Sequence, residues 1–246
     1  MSPPRRVLVT AGNTHEAIDR VREWTNVFTG STGLRIAQAL AQRADCQILL
    51  LTSNHAHAEA LAANPGPITA QTIRSHADLN AAMAHALASQ PFDAVFMTAA
   101  VSDYAPEAVF AVESIHAIDD QRQQWTVRNV QRGKVASTHP RIAVLGRPTE
   151  KLVDKIRPVW NHRGLLVKFK LEVDCSDEQL LRIGQASRQA SEADWLVANT
   201  LDMTTGPRAG AYLIAESSHE WVPRDELPRR LAALLDTQTP AGRPPA

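Results

Sequence analysis

An α/β fold, with a mostly parallel sheet and helices on both faces, is predicted by three features of the sequence. Short apolar runs of strand length recur along the chain. Stretches of helical periodicity separate them, and such alternation builds a parallel sheet, because parallel neighbours need a crossover between them. From Val109 to Leu145 the alternation gives way to polar and β-branched stretches such as Trp125 to Val130, which predicts an antiparallel flap over residues 108–146.

Val7 to Thr10 is a buried strand that enters a tight turn at Ala11-Gly12. Gly33 to Arg43 then places Leu34, Ala37, Leu40 and Ala41 on one helical face, and Gln47 to Thr52 is the next strand. Asp78 to Ser89 is Ala-rich and helical, and Phe92 to Met97 is a strand running into Thr98-Ala99-Ala100. Leu165 to Phe169 and Trp195 to Ala198 are strands separated by a helix over Asp177 to Ala190. Ala211 to Ala215 and Glu220 to Pro223 flank a hairpin turn, and Arg224 to Leu235 is an amphipathic terminal helix. No internal repeat is present; a single domain over residues 1–236 suffices for 246 residues, with a disordered tail at 237–246.

Lys plus Arg and Asp plus Glu each number 26, so no global basic field exists to hold nucleic acid or an anionic membrane. Cys46 and Cys175 lie far apart and outside any metal-ligand spacing, which argues against a disulfide framework or a zinc site. The N-terminus lacks a signal-peptide core, and no run approaches the roughly 18 apolar residues of a membrane span. A cytoplasmic protein is expected. The nine histidines form no cluster, His55 and His57 are expected on a loop, and metal ligands are not assignable.

In an open parallel sheet, ligands bind beyond the carboxyl ends of the strands, where loops and helix N-termini offer unpaired N–H groups. Three loops of this chain fall there. The first, Gly12-Asn13-Thr14 through Thr29-Gly30-Ser31-Thr32-Gly33, combines glycines with small hydroxyl residues, which let backbone approach an anion. It is neither a Walker A loop nor G-x-G-x-x-G.

The spacing of Thr10, Gly12, Thr14, Ile18, Asp19, Val21, Arg22, Asn26, Gly30 and Gly33 resembles the opening of the phosphopantothenate–cysteine ligase family. The loop Ala99-Ala100-Val101-Ser102-Asp103-Tyr104 is similar to the family's A-A-V-A/S-D-Y/F segment. Further resemblances are Gly133 to Ser137 with its K-I-x-S loop, Pro148 to Leu152 with P-x-x-K-L, Phe169 to Glu172 with F-K-x-E, and Ala198-Asn199 with A-N. The matches run along nearly the whole chain. The resemblance implies a Rossmann-like sheet with a flap and C-terminal hairpin, a homodimer, and 4′-phosphopantothenate, cysteine and a Mg²⁺-bound nucleoside triphosphate as ligands. CTP serves bacterial members and ATP can serve eukaryotic ones. No flavin is implied.

Amide synthesis from a carboxylate requires prior conversion to a mixed anhydride, which the family achieves as an acyl-nucleotide. Lys134 is the resembling candidate for stabilising charge at the α-phosphorus; the alternative is a solvated loop lysine. Asn26 has an amide suited to the acyl carbonyl oxygen, or to a helix cap before Thr29. Arg22 suits a substrate phosphate or carboxylate, or an ion pair with Glu16 or Asp19. The resemblance places Gly12, Asn13, Thr14, Thr98, Ala99, Asp103, Pro148, Phe169 and Asn199 at the nucleotide, and Thr29, Gly30, Ser31 and Ala100 at the other substrate. Asp103 also fits an Asx-turn and Phe169 a core position. The chain departs from the pattern at Asn13 (Gly or Pro in the family), at Ser31 (Lys or Arg), at Ser187 and Ser191 (a lysine pair), and in the longer segment from Glu107 to Arg132. A nicotinamide-dependent oxidoreductase and a non-catalytic ligand-binding paralogue are the competing readings.

Overall fold

The computed structural model describes residues 4–237; the predicted tail from Gln238 onward lies outside them. β1 (Arg5–Ala11) leads into a short hairpin of β2 (His15–Ala17) and β3 (Glu23–Thr25), which the sequence reading did not resolve. α1 (Ser31–Ala41) follows and buries Gly33, Ile36, Ala37 and Leu40. β4 (Cys46–Thr52) then pairs parallel to β1, with Val7 opposite Ile48.

α2 (His55–Ala63) carries His55 and His57 in its first turn, so these histidines are helical and not on a loop. The Asn54 side chain accepts from the His57 amide and caps the helix, which buries no residue and therefore shows no apolar stripe in sequence. β5 (Ile68–Thr72) adds an outer strand beside β4. α3 (His76–Ser89) starts at a reciprocal cap between Ser75 and Asp78 and returns the chain to β6 (Ala94–Met97), on the other side of β1.

β7 (Tyr104–Ala117), β8 (Gln123–Asn129) and β9 (Ile142–Pro148) form the antiparallel flap, ordered β8-β7-β9 and starting four residues earlier than the sequence suggests. β10 (Leu165–Glu172), α4 (Asp177–Ala190) and β11 (Trp195–Thr200) extend the parallel sheet beyond β6. β12 (Gly210–Ile214) and β13 (His219–Pro223) add the antiparallel hairpin, and α5 (Leu227–Ala233) packs back on α1.

The main sheet runs β13-β12-β11-β10-β6-β1-β4-β5. Alternation along its strands builds two cores. Val7, Val9, Phe96 and Val167 face α1 and α5; Leu8, Val95 and Leu166 face α3. Burying one such large side chain stabilises by about 1.5–3 kcal/mol. Because the chain winds outward from β1 to β5 and then crosses back to β6, the strand order reverses between β1 and β6, whose following loops stay paired at Asn13 and Ala100. That switch point opens a crevice at the strand ends.

Candidate active site

A cavity of about 400 Å³ occupies the crevice. Its floor is Gly12 after β1 and Thr98 to Ala100 after β6, and one wall is the loop from Val27 through Gly33. Gly30 has φ +81° and forms the N-cap of α1 without a side-chain cap, so the first N–H groups of that helix have no side-chain acceptor at its cap. A Cβ at Gly30 would meet the backbone of Gly12, so these two loops touch only because position 30 is glycine. Phe169 of β10 and Asn199 of β11 close the far side. Phe169 also packs against the core.

Among the described residues three cations line the cavity, Arg35, Lys170 and Arg224, and no Asp or Glu does. Arg35 pairs with Asp225 at 3.0 Å, Lys170 with Glu172 at 2.8 Å, and Arg224 donates to the Thr204 carbonyl. Asp225 is 90% exposed, so its pairing is worth roughly 1 kcal/mol or less and yields readily to a phosphate. Sequence reasoning missed all three. Arg35 has a local signal, lying four residues after Ser31 on one helix face. Arg224 has none, since only the fold brings it to α1.

Of the residues expected at the site, Gly12, Thr29, Gly30, Ser31, Thr98, Ala99, Ala100, Phe169 and Asn199 line this cavity together. Asn13 and Thr14 are buried and bonded internally. The Asn13 amide nitrogen donates to the Thr25 hydroxyl and the Asn26 carbonyl at 2.6 Å each, and its oxygen accepts from Ser53. Thr14 Oγ1 accepts from the Ser102 amide. Asn26 donates to the Ala100 carbonyl at 3.2 Å, on the cavity floor. The cap of α1 is Gly30, so the alternative capping role of Asn26 is not adopted. Asp103 is exposed, and Pro148 sits opposite Tyr104 at the base of the flap.

Arg22 and Lys134 stand apart from the cavity. Arg22 adopts its alternative, an ion pair at 2.9 Å with Asp19, and also donates to the Val135 carbonyl. Amides of Val135 and Val21 hold the Asp19 carboxyl below the usual carboxylate range. Lys134, between Gly133 and Val135, is exposed and makes no hydrogen bond or ion pair among the described residues. Ser187 and Ser191 receive Lys168 of β10, whose amine donates to the Ser187 carbonyl and the Ser191 hydroxyl; burial pushes that amine down. Among the described residues no group of three His, Cys, Asp or Glu is placed to hold a metal, and no helix is long and apolar enough to cross a membrane.

Fold and cavity together define a doubly wound α/β protein with a crevice lined by cations at its switch point. The family profile of the DNA/pantothenate metabolism flavoprotein C-terminal domain matches residues 3–122. The coenzyme A biosynthesis bifunctional protein CoaBC of Thermococcus kodakarensis is 27% identical over 220 residues, 89% of this chain and 47% of that protein. Its counterpart in Vibrio cholerae is 38% identical over 109 residues, 43% of this chain and 24% of that protein. The chain thus spans about half or less of these relatives' length. Among solved structures, the DNA/pantothenate metabolism flavoprotein from Streptococcus pneumoniae superposes with a TM-score of 0.76 at 23% identity, covering 95% of this chain and 99% of that one. A Cab2 variant in complex with phosphopantothenate-cysteine gives 0.68 at 14% identity, covering 95% and 85%. Over residues 3–122 the chain is similar to the DNA/pantothenate metabolism flavoprotein C-terminal domain, and its whole fold is similar to that of the Streptococcus pneumoniae protein.

Proposed function

We propose that the chain is a nucleotide-dependent ligase that joins 4′-phosphopantothenate to cysteine through an acyl-nucleotide, in coenzyme A biosynthesis. The observation that carries this reading is the cavity itself, cationic, free of lining carboxylates and placed against the glycine-rich start of α1. Such a site suits a triphosphate. It lacks the acidic residue that a dinucleotide-binding site uses on a ribose, which weighs against the oxidoreductase. The relatives' part in coenzyme A biosynthesis and the phosphopantothenate-cysteine held by the Cab2 variant support the choice of substrates.

In the proposed reaction the carboxylate oxygen attacks the α-phosphorus and pyrophosphate leaves; the cysteine amine then attacks the acyl carbon and the nucleoside monophosphate leaves. Arg35, Lys170 and Arg224 hold phosphate oxygens, Asn26 donates to the acyl oxygen, and Lys134, which stands outside the cavity here, stabilises charge at the α-phosphorus by reaching over the bound triphosphate. Mg²⁺ would arrive with the triphosphate and neutralise its charge, in keeping with a lining that offers no carboxylate cage. The reaction needs no flavin. We assign a homodimer from the flap, where β8 is exposed along its length and Trp125, Val127, Ile142 and Leu145 stand in solvent. A single-chain mass by sedimentation at micromolar concentration would refute that assignment. A cytoplasmic location accords with the two free thiols, Cys46 and Cys175.

Mass analysis of reactions containing 4′-phosphopantothenate, cysteine and either CTP or ATP tests the whole reading. The expected product is phosphopantothenoylcysteine, with pyrophosphate released only when the carboxylate is present. Binding of nucleotide without product in either mixture rejects the ligase in favour of a binding protein.

A further inference from the structure

Two turns in the chain share the pattern Ala-Ile-Asp-x-x-Arg and the same main-chain hydrogen bonds to the aspartate. Ala17-Ile18-Asp19 with Arg22 joins β2 to β3, and Ala117-Ile118-Asp119 with Arg122 joins β7 to β8. In the first, Asp19 Oδ1 accepts from the amides of Val21 and Arg22 at 2.8 and 2.9 Å, and Oδ2 accepts from Arg22 Nη1 at 2.9 Å. In the second, Asp119 Oδ1 accepts from the amides of Gln121 and Arg122 at 3.0 and 2.9 Å, and Oδ2 from Arg122 Nε at 2.7 Å.

Their surroundings differ. The Asp119 side chain is 43% exposed, whereas that of Asp19 has no exposed surface. Asp19 Oδ2 also accepts from the Val135 amide at 3.1 Å, and Arg22 Nη1 reaches on to the Val135 carbonyl at 3.1 Å. The Arg20 amide donates to the Gly133 carbonyl at 3.0 Å, and Gln131 Nε2 to the Ile18 carbonyl at 3.1 Å. The exposed copy shows that none of these extra bonds is needed to make the turn. They bracket Lys134 on both sides, while Val135 is pegged into the flap core with Val109, Ala111 and Val130.

We infer that Asp19, with Arg22, is a positioning residue: a buried carboxylate clamp that fixes the loop carrying Lys134 and acts on the reaction only through it. The inference rests on the proposed role of Lys134. Asn at 19 preserves shape, but its NH₂ must face either the turn amides or the Val135 N–H and Arg22, so donor meets donor. Asp119→Asn makes the same change in the exposed copy and serves as the control.

The test measures pyrophosphate release, together with hydrogen exchange of residues 131–136, in Asp19→Asn, Asp119→Asn, Lys134→Gln and the Asp19→Asn/Lys134→Gln double variant. Asp19→Asn should lower kcat about 10-fold or more with the nucleotide KM nearly unchanged, and should speed loop exchange. Asp119→Asn should leave both at wild-type values. In the double variant the loss should equal that of Lys134→Gln alone, because a clamp has nothing left to position. Should Asp19→Asn fail to fold, Arg22→Lys carries the same cycle, since it keeps the charge and loses the shared bonds to Asp19 and Val135. Equal losses in the two aspartate variants, or multiplied losses in the double variant, would overturn the clamp. A wild-type chain that releases no pyrophosphate rejects the ligase reading instead. The exchange measurement then still decides, and unchanged exchange in Asp19→Asn overturns the clamp.

Discussion

Gly30→Ala probes the contact on which the cavity depends. Gly30 sits at φ +81° and ψ 9°, and a Cβ there would press on the backbone nitrogen of Gly12 and lie 2.8 Å from its Cα. Ordinary contact begins near 3.4 Å, so one of two main-chain loops that both border the cavity must move by a sizeable fraction of an ångström. Gly206 supplies the reference, with φ +77° and nothing within 4 Å of its Cβ position. Gly206→Ala therefore measures the left-handed conformation alone, about 1 kcal/mol. Gly30→Ala adds steric displacement of main chain on the scale of core overpacking, about 1–3 kcal/mol, for a total of about 2–4 kcal/mol. At about 2–4 °C per kcal/mol for a chain of this size, the melting temperature should fall by about 4–16 °C at Gly30 and about 2–4 °C at Gly206. Circular dichroism melts give the first quantity, and calorimetric titration with CTP or ATP tests the cavity. Gly206→Ala should bind nucleotide as the unaltered chain does, and Gly30→Ala should not. If the two variants melt within a degree of each other and both bind nucleotide normally, the close approach of the two loops does not build the site.

Lys134→Gln should lower pyrophosphate release by about 10²-fold while leaving the melting temperature nearly unchanged, because the side chain is exposed and unbonded among the described residues. A chemically supplied acyl-nucleotide should still react with cysteine in this variant, and near-normal pyrophosphate release would remove Lys134 from the mechanism. His162 provides a pH test. Its burial pushes the imidazole below the ordinary value of 6.5, so the unfolded chain takes up the proton first. The stability this neutral histidine contributes is complete above about pH 6.5 and declines as pH falls from there towards the lowered folded value. Melts between pH 7.5 and 5.5 should therefore drop more steeply in the unaltered chain than in His162→Gln, which keeps a donor for the Leu165 carbonyl. Parallel curves would show that His162 does not set the dependence.

What the sequence disclosed follows from how each element is buried. β1, β4, β6, β10 and β11 were legible because strands covered on both faces read as unbroken apolar runs. β5, with Ala70 between exposed Thr69 and Gln71 at the sheet edge, gives no such run, and α2 has no buried face to betray its period. At the site, residues at strand ends were legible because the fold class itself places ligands there. The ion pair of Arg22 with Asp19 was also legible as an alternative, since three residues separate them. Arg35, Lys170 and Arg224 were not. They come from α1, β10 and the residue just after β13, and their convergence is a property of strand order rather than of any local pattern.

The two groups of site residues are joined by short bonded steps. Ala100 on the cavity floor accepts from Asn26, the Asn26 carbonyl accepts from Asn13, and Asn13 forms a bridge back to Ala100. Thr25 at the end of β3 donates to the Thr14 carbonyl. The β2–β3 hairpin is thereby fastened to the cavity at its base, and at its tip Asp19 and Arg22 fasten the Lys134 loop. Apart from Arg22, each link is main chain or a short polar side chain, so little rotamer freedom separates the loop from the floor. Changes among the cations of the cavity should accordingly alter nucleotide affinity, and changes at the hairpin tip should alter turnover. Under the proposed function the hairpin would thus act on turnover, although no residue of β2 or β3 borders the cavity.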